Sequence, residues 1–200
     1  MKILESIIVN VLTSLYQPFG FAVLLSVLFM FLYIFAEEHG WKKLMQRWLE
    51  AFKTNKNFPR ILLLTFYTSM ILLRTLLNRR LWENALSDVI GVWGIYDAKG
   101  ELTTEAIENL ALFIPFSVLL LWSFREKILG EAVKLFQTSW QSVKIVFLFS
   151  LTIEFLQLFL RLGTFQLSDL FYNTLGGFVG GLIYWSGYEL RNKFSKGSGA

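Results

Sequence analysis

A chain of 200 residues that is 54% hydrophobic and 17% aromatic exceeds the roughly 45–50% apolar share of an ordinary soluble domain, and its mean hydropathy of +0.51 points to lipid as solvent. It has no cysteine and a single histidine, His39, which excludes disulfides, thiolate nucleophiles, zinc–thiolate centres and the usual histidine-dependent triads. The net charge of +4 is modest, so where the charges lie says more than their sum.

Residues 3–12 are apolar but interrupted by Glu5 and Asn10, and no small-x-small cleavage site follows; this segment is expected to stay rather than leave as a signal peptide. Five apolar stretches then approach spanning length, about 20 residues at ~1.5 Å each. They run from about Phe19 to Ala36, continuing an amphipathic helix over residues 3–16 with Pro18 at the junction, from Ile61 to Leu77, from Ala106 to Trp122, from Val143 to Leu160 and from Leu170 to Trp185. The fold class expected is therefore all-α, a polytopic membrane helical bundle of about five transmembrane helices. Residues 1–60 form a first span with a basic interfacial loop, residues 61–190 a four-helix membrane domain, and residues 191–200 a tail. Lys196 to Ala200 have the composition of a linker or expression tag.

Lys and Arg divide unevenly between the loops. Thirteen fall in the 37–60 loop, the 123–144 segment and the tail, against five on the other side. The excess of cations on cytoplasmic loops predicts a multi-pass membrane protein with its N-terminus outside and its C-terminus in the cytoplasm. Within the 37–60 loop, Trp41, Leu44, Trp48, Leu49 and Phe52 recur at helical spacing among Lys42, Lys43, Arg47 and Lys53. That pattern suits a helix lying on an anionic leaflet, or a solvated connector with a few anchoring aromatics.

The apolar stretches carry costly polar residues. Glu154, Gln157 and Arg161 share one helix face at i, i+3 and i+7. Asp169 and Asn173 sit one turn apart on the next helix, ahead of Gly176, Gly177, Gly180 and Gly181, whose G-x-x-x-G pairs predict close helix packing. Glu108 and Asn109 open the third span, Pro115 is expected to kink it, and Arg74 ends the second. All eight polar residues thus fall in the outer half of the bundle. They form either a network that holds helices in register or a pocket open to substrate or water, and the cost of burying ions favours a site. Glu154 and Asp169 are the candidate catalytic carboxylates. Arg74, Glu108, Asn109, Gln157, Arg161 and Asn173 are the candidate ligand-binding residues, and neither a metal nor a cofactor is expected.

The ordered motifs E-N-L-A-L-F-I-P (108–115), I-E-F-L-Q (153–157) and R-L-G-T-F-Q-L-S-D-L-F-Y-N-T-L-G-G (161–177) resemble the VanZ-like family over roughly residues 60–190. That family is best known for a protein linked to resistance against the glycopeptide teicoplanin. The resemblance implies that Asn109, Pro115, Glu154, Gln157, Arg161, Asp169, Asn173 and Gly176 are family positions. Two residues depart from the pattern: Ser117 stands where the family often has glycine, and Gln166 where it often has an acid. The location implied is the plasma membrane of a bacterium, and the function implied is resistance or envelope modulation through an outer-leaflet pocket. Its partners would be membrane lipids, a lipoglycopeptide, a cell-wall lipid precursor or another membrane protein, and nucleic acid is not among them. The alternative is an intramembrane, carboxylate-dependent enzyme on an envelope lipid, with Glu154 as acid or base and Arg161 stabilising anionic charge. Five spans without an internal repeat give no basis for a transporter.

Overall fold

The computed structural model describes residues 2–16, 19–35, 41–76, 84, 86–96, 100–160 and 163–197. Pro18, His39 and Arg161, together with Asn78 and its basic neighbours, lie outside them. Seven helices follow in order: α1 (Lys2–Tyr16), α2 (Phe19–Phe35), α3 (Trp41–Thr54), α4 (Asn57–Leu76), α5 (Glu105–Leu129), α6 (Leu135–Leu160) and α7 (Leu167–Gly197). The chain is all-α, as its hydropathy predicts. Three of the described helices, α4, α5 and α6, are both long and apolar enough to cross a membrane. The 17-residue α2 is strongly apolar but shorter. In α7, a helix of 31 residues, glycines and polar side chains dilute the hydropathy, so a count of five spans is approximate.

The helix α7 packs most extensively against α5 and then α6, while α2 packs on α4, and α4 on α5. The glycines explain why α7 sits so deep. A Cβ at Gly176 would lie 2.4 Å from the Leu110 carbonyl oxygen, and one at Gly180 would lie 2.5 Å from that of Ile114. On the adjoining stripe, a Cβ at Gly177 would meet Val146 at 2.7 Å and one at Gly181 would meet Ser142 at 3.0 Å. The rising pair 110/114 makes α5 and α7 parallel; the falling pair 146/142 makes α6 antiparallel to them. Leu64, Ile71, Phe113, Phe116, Val146 and Ile153 complete the central core, with Phe116 stacked on Phe149 at 4.9 Å between ring centres.

A second cluster ties α3 to the bundle: Leu44 is buried with Met30, Ile34 and Phe58, and Trp48 contacts Phe31, Phe52 and Phe58. Met45, Leu49 and Phe52 remain exposed. The amphipathic face of α3 is thus divided between protein and surroundings. In α5 the backbone leaves helical dihedrals at Phe124 (φ −122°, ψ 28°) rather than at Pro115. The proline ring holds φ near its helical value, so Pro115 removes a ladder hydrogen bond without forcing its dihedrals out of the helical region.

The close approach at Gly180 gives a direct test. Gly180→Ala is expected to lower stability by about 1–3 kcal/mol, because a methyl group there meets backbone. Gly187→Ala, where a Cβ meets nothing within 4 Å, is expected to gain up to ~1 kcal/mol from helix propensity. Unfolding of the two variants in detergent micelles measures both. Equal behaviour would remove the packing argument.

Candidate functional site

Four helices bring their polar residues to the end of the bundle where α4 and α6 finish and α5 and α7 begin. Arg74, in the last turn of α4, forms an ion pair with Glu108 in the first turn of α5. The second carboxylate oxygen of Glu108 accepts a hydrogen bond from the Thr104 hydroxyl at 2.5 Å, and Asn10 of α1 donates to that hydroxyl oxygen at 2.7 Å. Four residues from three helices and one helix cap therefore form a single chain of contacts. The position of Glu108 at the start of α5 adds a favourable interaction with the helix dipole.

The next residue, Asn109, turns to α7 and donates to Asp169 at 2.8 Å. Both are partly exposed. Gln157 of α6 is 3% exposed and donates to the carbonyl of Thr75 at 2.8 Å, beside Arg74. Glu154 is 2% exposed and accepts the backbone N–H of Gln166 at 2.9 Å. That bond holds the short connection between α6 and α7. Asn173, 4% exposed, donates to the Ser150 hydroxyl at 2.8 Å, and its own carbonyl oxygen is buried without a partner among the described residues.

Seven of the eight residues expected from sequence thus arrive at one end of the fold, Arg161 lying outside the described residues, and they form pairs that link neighbouring elements: Arg74 with Glu108, Asn109 with Asp169, Gln157 with Thr75, Glu154 with Gln166 and Asn173 with Ser150. Among the described residues, no three carboxylates or histidines come close enough together to hold a metal ion.

Three further features are not anticipated by the eight polar positions. Ser117 of α5 and Ser142 of α6 contact each other and both donate to the Gly177 carbonyl of α7, at 3.0 and 2.6 Å. This clasp is fully buried. The spacing of Ser142, Ser150, Glu154 and Gln157, by eight, four and three residues, carries its signal: one polar face along α6. The second feature is the 86–96 loop, which docks on the α6–α7 connection. Leu167 donates its N–H to the Val89 carbonyl at 2.9 Å, and Asp88 accepts from Gly91 at 3.1 Å. Gly91 has φ +70°, and a Cβ there would lie 2.0 Å from the Ser168 hydroxyl oxygen. Only glycine fits that turn and that contact together. Third, the loop places Trp93 against Phe171 and Tyr172, at 5.2 and 6.0 Å between ring centres. An aromatic cluster with exposed Trp93 and Phe171 thus forms on the first turns of α7, the helix that also carries Asp169.

Comparison with known proteins agrees with the motifs. The VanZ/LLP1 family model matches residues 19–188, a longer stretch than the motifs alone cover. Protein VanZ of Enterococcus faecium is 35% identical over 80 residues, 40% of this chain and 44% of that protein. The match thus spans less than half the length of that curated relative. No solved structure matches the chain.

The Arg74–Glu108 pair is testable by a double-mutant cycle. Arg74→Met leaves Glu108 without its cation and is expected to cost about 3–5 kcal/mol, whereas Arg74→Met combined with Glu108→Met is expected to recover most of that loss. Thermal unfolding in micelles measures both. Strict additivity of the two single substitutions would show that the pair is not coupled.

Proposed function

This chain belongs to the VanZ/LLP1 family, and from that premise we propose that it serves resistance to teicoplanin-type glycopeptides, or a related modulation of the cell envelope, by binding an acylated glycopeptide or an envelope glycolipid. The binding surface is the end of the bundle where α5 and α7 begin, facing outward. The observation that carries the proposal is the hydrogen-bonded, partly exposed Asn109–Asp169 pair, with Trp93 packed on Phe171 and Tyr172 at the same end of α7. Such a surface offers apolar contact for an acyl chain beside polar groups for amides and hydroxyls. Asp88 and Gln166 extend the polar edge. The thirteen-to-five division of basic residues between the two sides supports the outward orientation.

Binding fits the geometry better than catalysis. Glu154, the first candidate for an acid or base, is 2% exposed and one of its oxygens is already engaged by the Gln166 N–H. Asp169 is held by Asn109. Both carboxylates act on the surrounding chain, and the surface they shape is available to a ligand.

Purified protein in nanodiscs is expected to bind an acylated glycopeptide saturably, and to bind the same peptide core without its acyl chain at least about ten-fold more weakly. Asp169→Asn and Trp93→Ala are each expected to weaken binding about ten-fold, the worth of one good polar or aromatic contact. No saturable binding of glycopeptide or lipid-linked cell-wall precursor would sink the proposal. Loss of resistance in a folded Glu154→Gln variant with unchanged binding would put the enzymatic alternative in its place. The orientation has its own check, since the chain has no cysteine. A membrane-impermeant thiol reagent applied to intact cells is expected to label Ser87→Cys and spare Glu131→Cys; the reverse pattern would invert the topology.

A further inference from the structure

The opposite end of the bundle carries a feature that glycopeptide or glycolipid binding does not use. Where α4 begins and α5 and α7 finish, a cleft of about 590 Å³ opens between the three helices. Four cations line it: Arg60 from α4, Arg125 and Lys127 from α5, and Arg191 from α7. The lining contains one acid, Glu126, which is 3.2 Å from Arg125 and has a side chain 83% exposed. Four positive groups from three separate helices thus converge on one concavity with one exposed carboxylate among them. Like charges gathered this way repel, and the arrangement is stabilised by an anion that joins them.

The aromatic residues set how those cations are presented. The Arg60 guanidinium lies over the Trp122 ring at 4.9 Å and that of Arg125 over Tyr188 at 5.9 Å. Stacking occupies the face of a guanidinium, while its N–H donors point outward in its own plane, the geometry that takes a phosphate or carboxylate by two parallel hydrogen bonds. Arg60 spends one donor on Asn57 at 3.2 Å. The helical dihedrals of α5 break at Phe124, in the wall of the cleft. Beside the break, the Ser123 hydroxyl is buried with no hydrogen-bond partner among the described residues, and Ser123 itself is only 8% exposed. A buried hydroxyl in that position costs free energy until something accepts from it or donates to it.

We propose that this cleft is a binding site for the phosphate of an anionic phospholipid headgroup. Phosphate is the shared chemistry of a lipid headgroup and a free phosphate, and the position of the cleft favours the lipid. It lies at the end of the apolar spans, with the exposed Trp122 at its rim and exposed Leu190 and Phe194 on the same stretch of α7. A headgroup can enter from the membrane surface while its acyl chains stay against apolar side chains. The basic residues that set the topology would then also form a defined lipid site on the cytoplasmic leaflet, where anionic lipids are enriched.

The test compares nanodiscs of phosphatidylglycerol with nanodiscs of phosphatidylcholine, with thermal unfolding of the whole protein as the readout and native mass spectrometry as a count of retained lipid. Phosphatidylglycerol is expected to raise the unfolding temperature and to be retained at least ten-fold more than phosphatidylcholine. Arg60→Gln and Arg191→Gln, made separately, are each expected to abolish most of that preference. Lys43→Gln with Lys53→Gln, on exposed positions of α3, is expected to leave it intact. Equal stabilisation by both lipids would overturn the proposal. An equal loss in the α3 control would overturn it too, by reducing the preference to diffuse surface attraction. The third arm adds inorganic phosphate to protein in phosphatidylcholine; if that reproduces the full shift, the cleft takes a soluble anion and the lipid assignment falls. Because the readout involves neither glycopeptide nor the other end of the bundle, its failure is separate from failure of the binding function proposed above.

Discussion

The structure depends on how closely α7 can approach its neighbours. In hydrocarbon there is no gain in hiding an apolar side chain from lipid tails, so helices associate through packing and polar contacts made at short range. Gly176 and Gly180 bring the α7 backbone against the carbonyls of Leu110 and Ile114; Gly177 and Gly181 do the same against Val146 and Ser142. Other contacts follow from this fit. The Gly177 carbonyl comes within reach of Ser117 and Ser142 because no side chain intervenes, and one turn above Gly176, Asn173 reaches Ser150. One turn above that, Asp169 meets Asn109. A polar ladder along α7 is thus a consequence of a glycine stripe below it.

The buried ionisable groups are held on the same terms. Transfer of a carboxylate from water costs several kcal/mol, and this is tolerated only where donors are already in place. Glu154 receives a backbone N–H from the α6–α7 connection, so its burial and the path of that connection depend on each other. Glu108 receives Arg74 from one side and Thr104 from the other. Gln157 closes on a main-chain carbonyl of α4. Each polar group ties together two elements that lipid alone would leave free to slide, which gives the end of the bundle a fixed register around the surface that Asn109, Asp169 and Trp93 present.

The helices and the gathering of polar residues at one end were legible in the sequence because hydropathy sets the spans and the chain must alternate direction between them. The partners were not legible, because three of them are groups that composition does not display: the Gln166 N–H, the Thr75 carbonyl and the Gly177 carbonyl belong to backbone. Both departures from the family pattern make sense at that level. Ser117, where the resemblance leads one to expect glycine, has its Cβ 2.7 Å from the place of the absent Gly180 Cβ and uses its hydroxyl in the three-helix clasp. Gln166 serves Glu154 through its main-chain N–H, which any residue but proline would supply, and its side-chain amide reaches Asp88 and Thr164. The docking of the 86–96 loop was equally hidden, since it rests on the Val89 carbonyl, on Trp93 and on the positive-φ Gly91, all outside the motifs. The basic cleft was hidden because Arg60, Arg125 and Arg191 are each about 65 residues apart and meet only when α4, α5 and α7 are packed.

The two ends of the bundle handle charge in opposite ways, and that contrast bears on where a ligand acts. At one end every candidate carboxylate has a donor from the protein, and the groups that remain accessible are a polar pair and an aromatic cluster. A ligand there gains by adding contacts at the border of a satisfied network, and would lose by breaking into it, because each broken pair leaves a buried group uncompensated. At the other end four cations face a cleft with one acid among the lining residues and a buried hydroxyl that has no partner among the described residues. There a ligand supplies what the chain omits. On the two proposals, the first end would recognise a ligand without being rearranged, and the second would be completed by one. The proposed lipid cleft and the proposed recognition surface share two helices, α5 and α7, whose separation is fixed by Gly176 and Gly180.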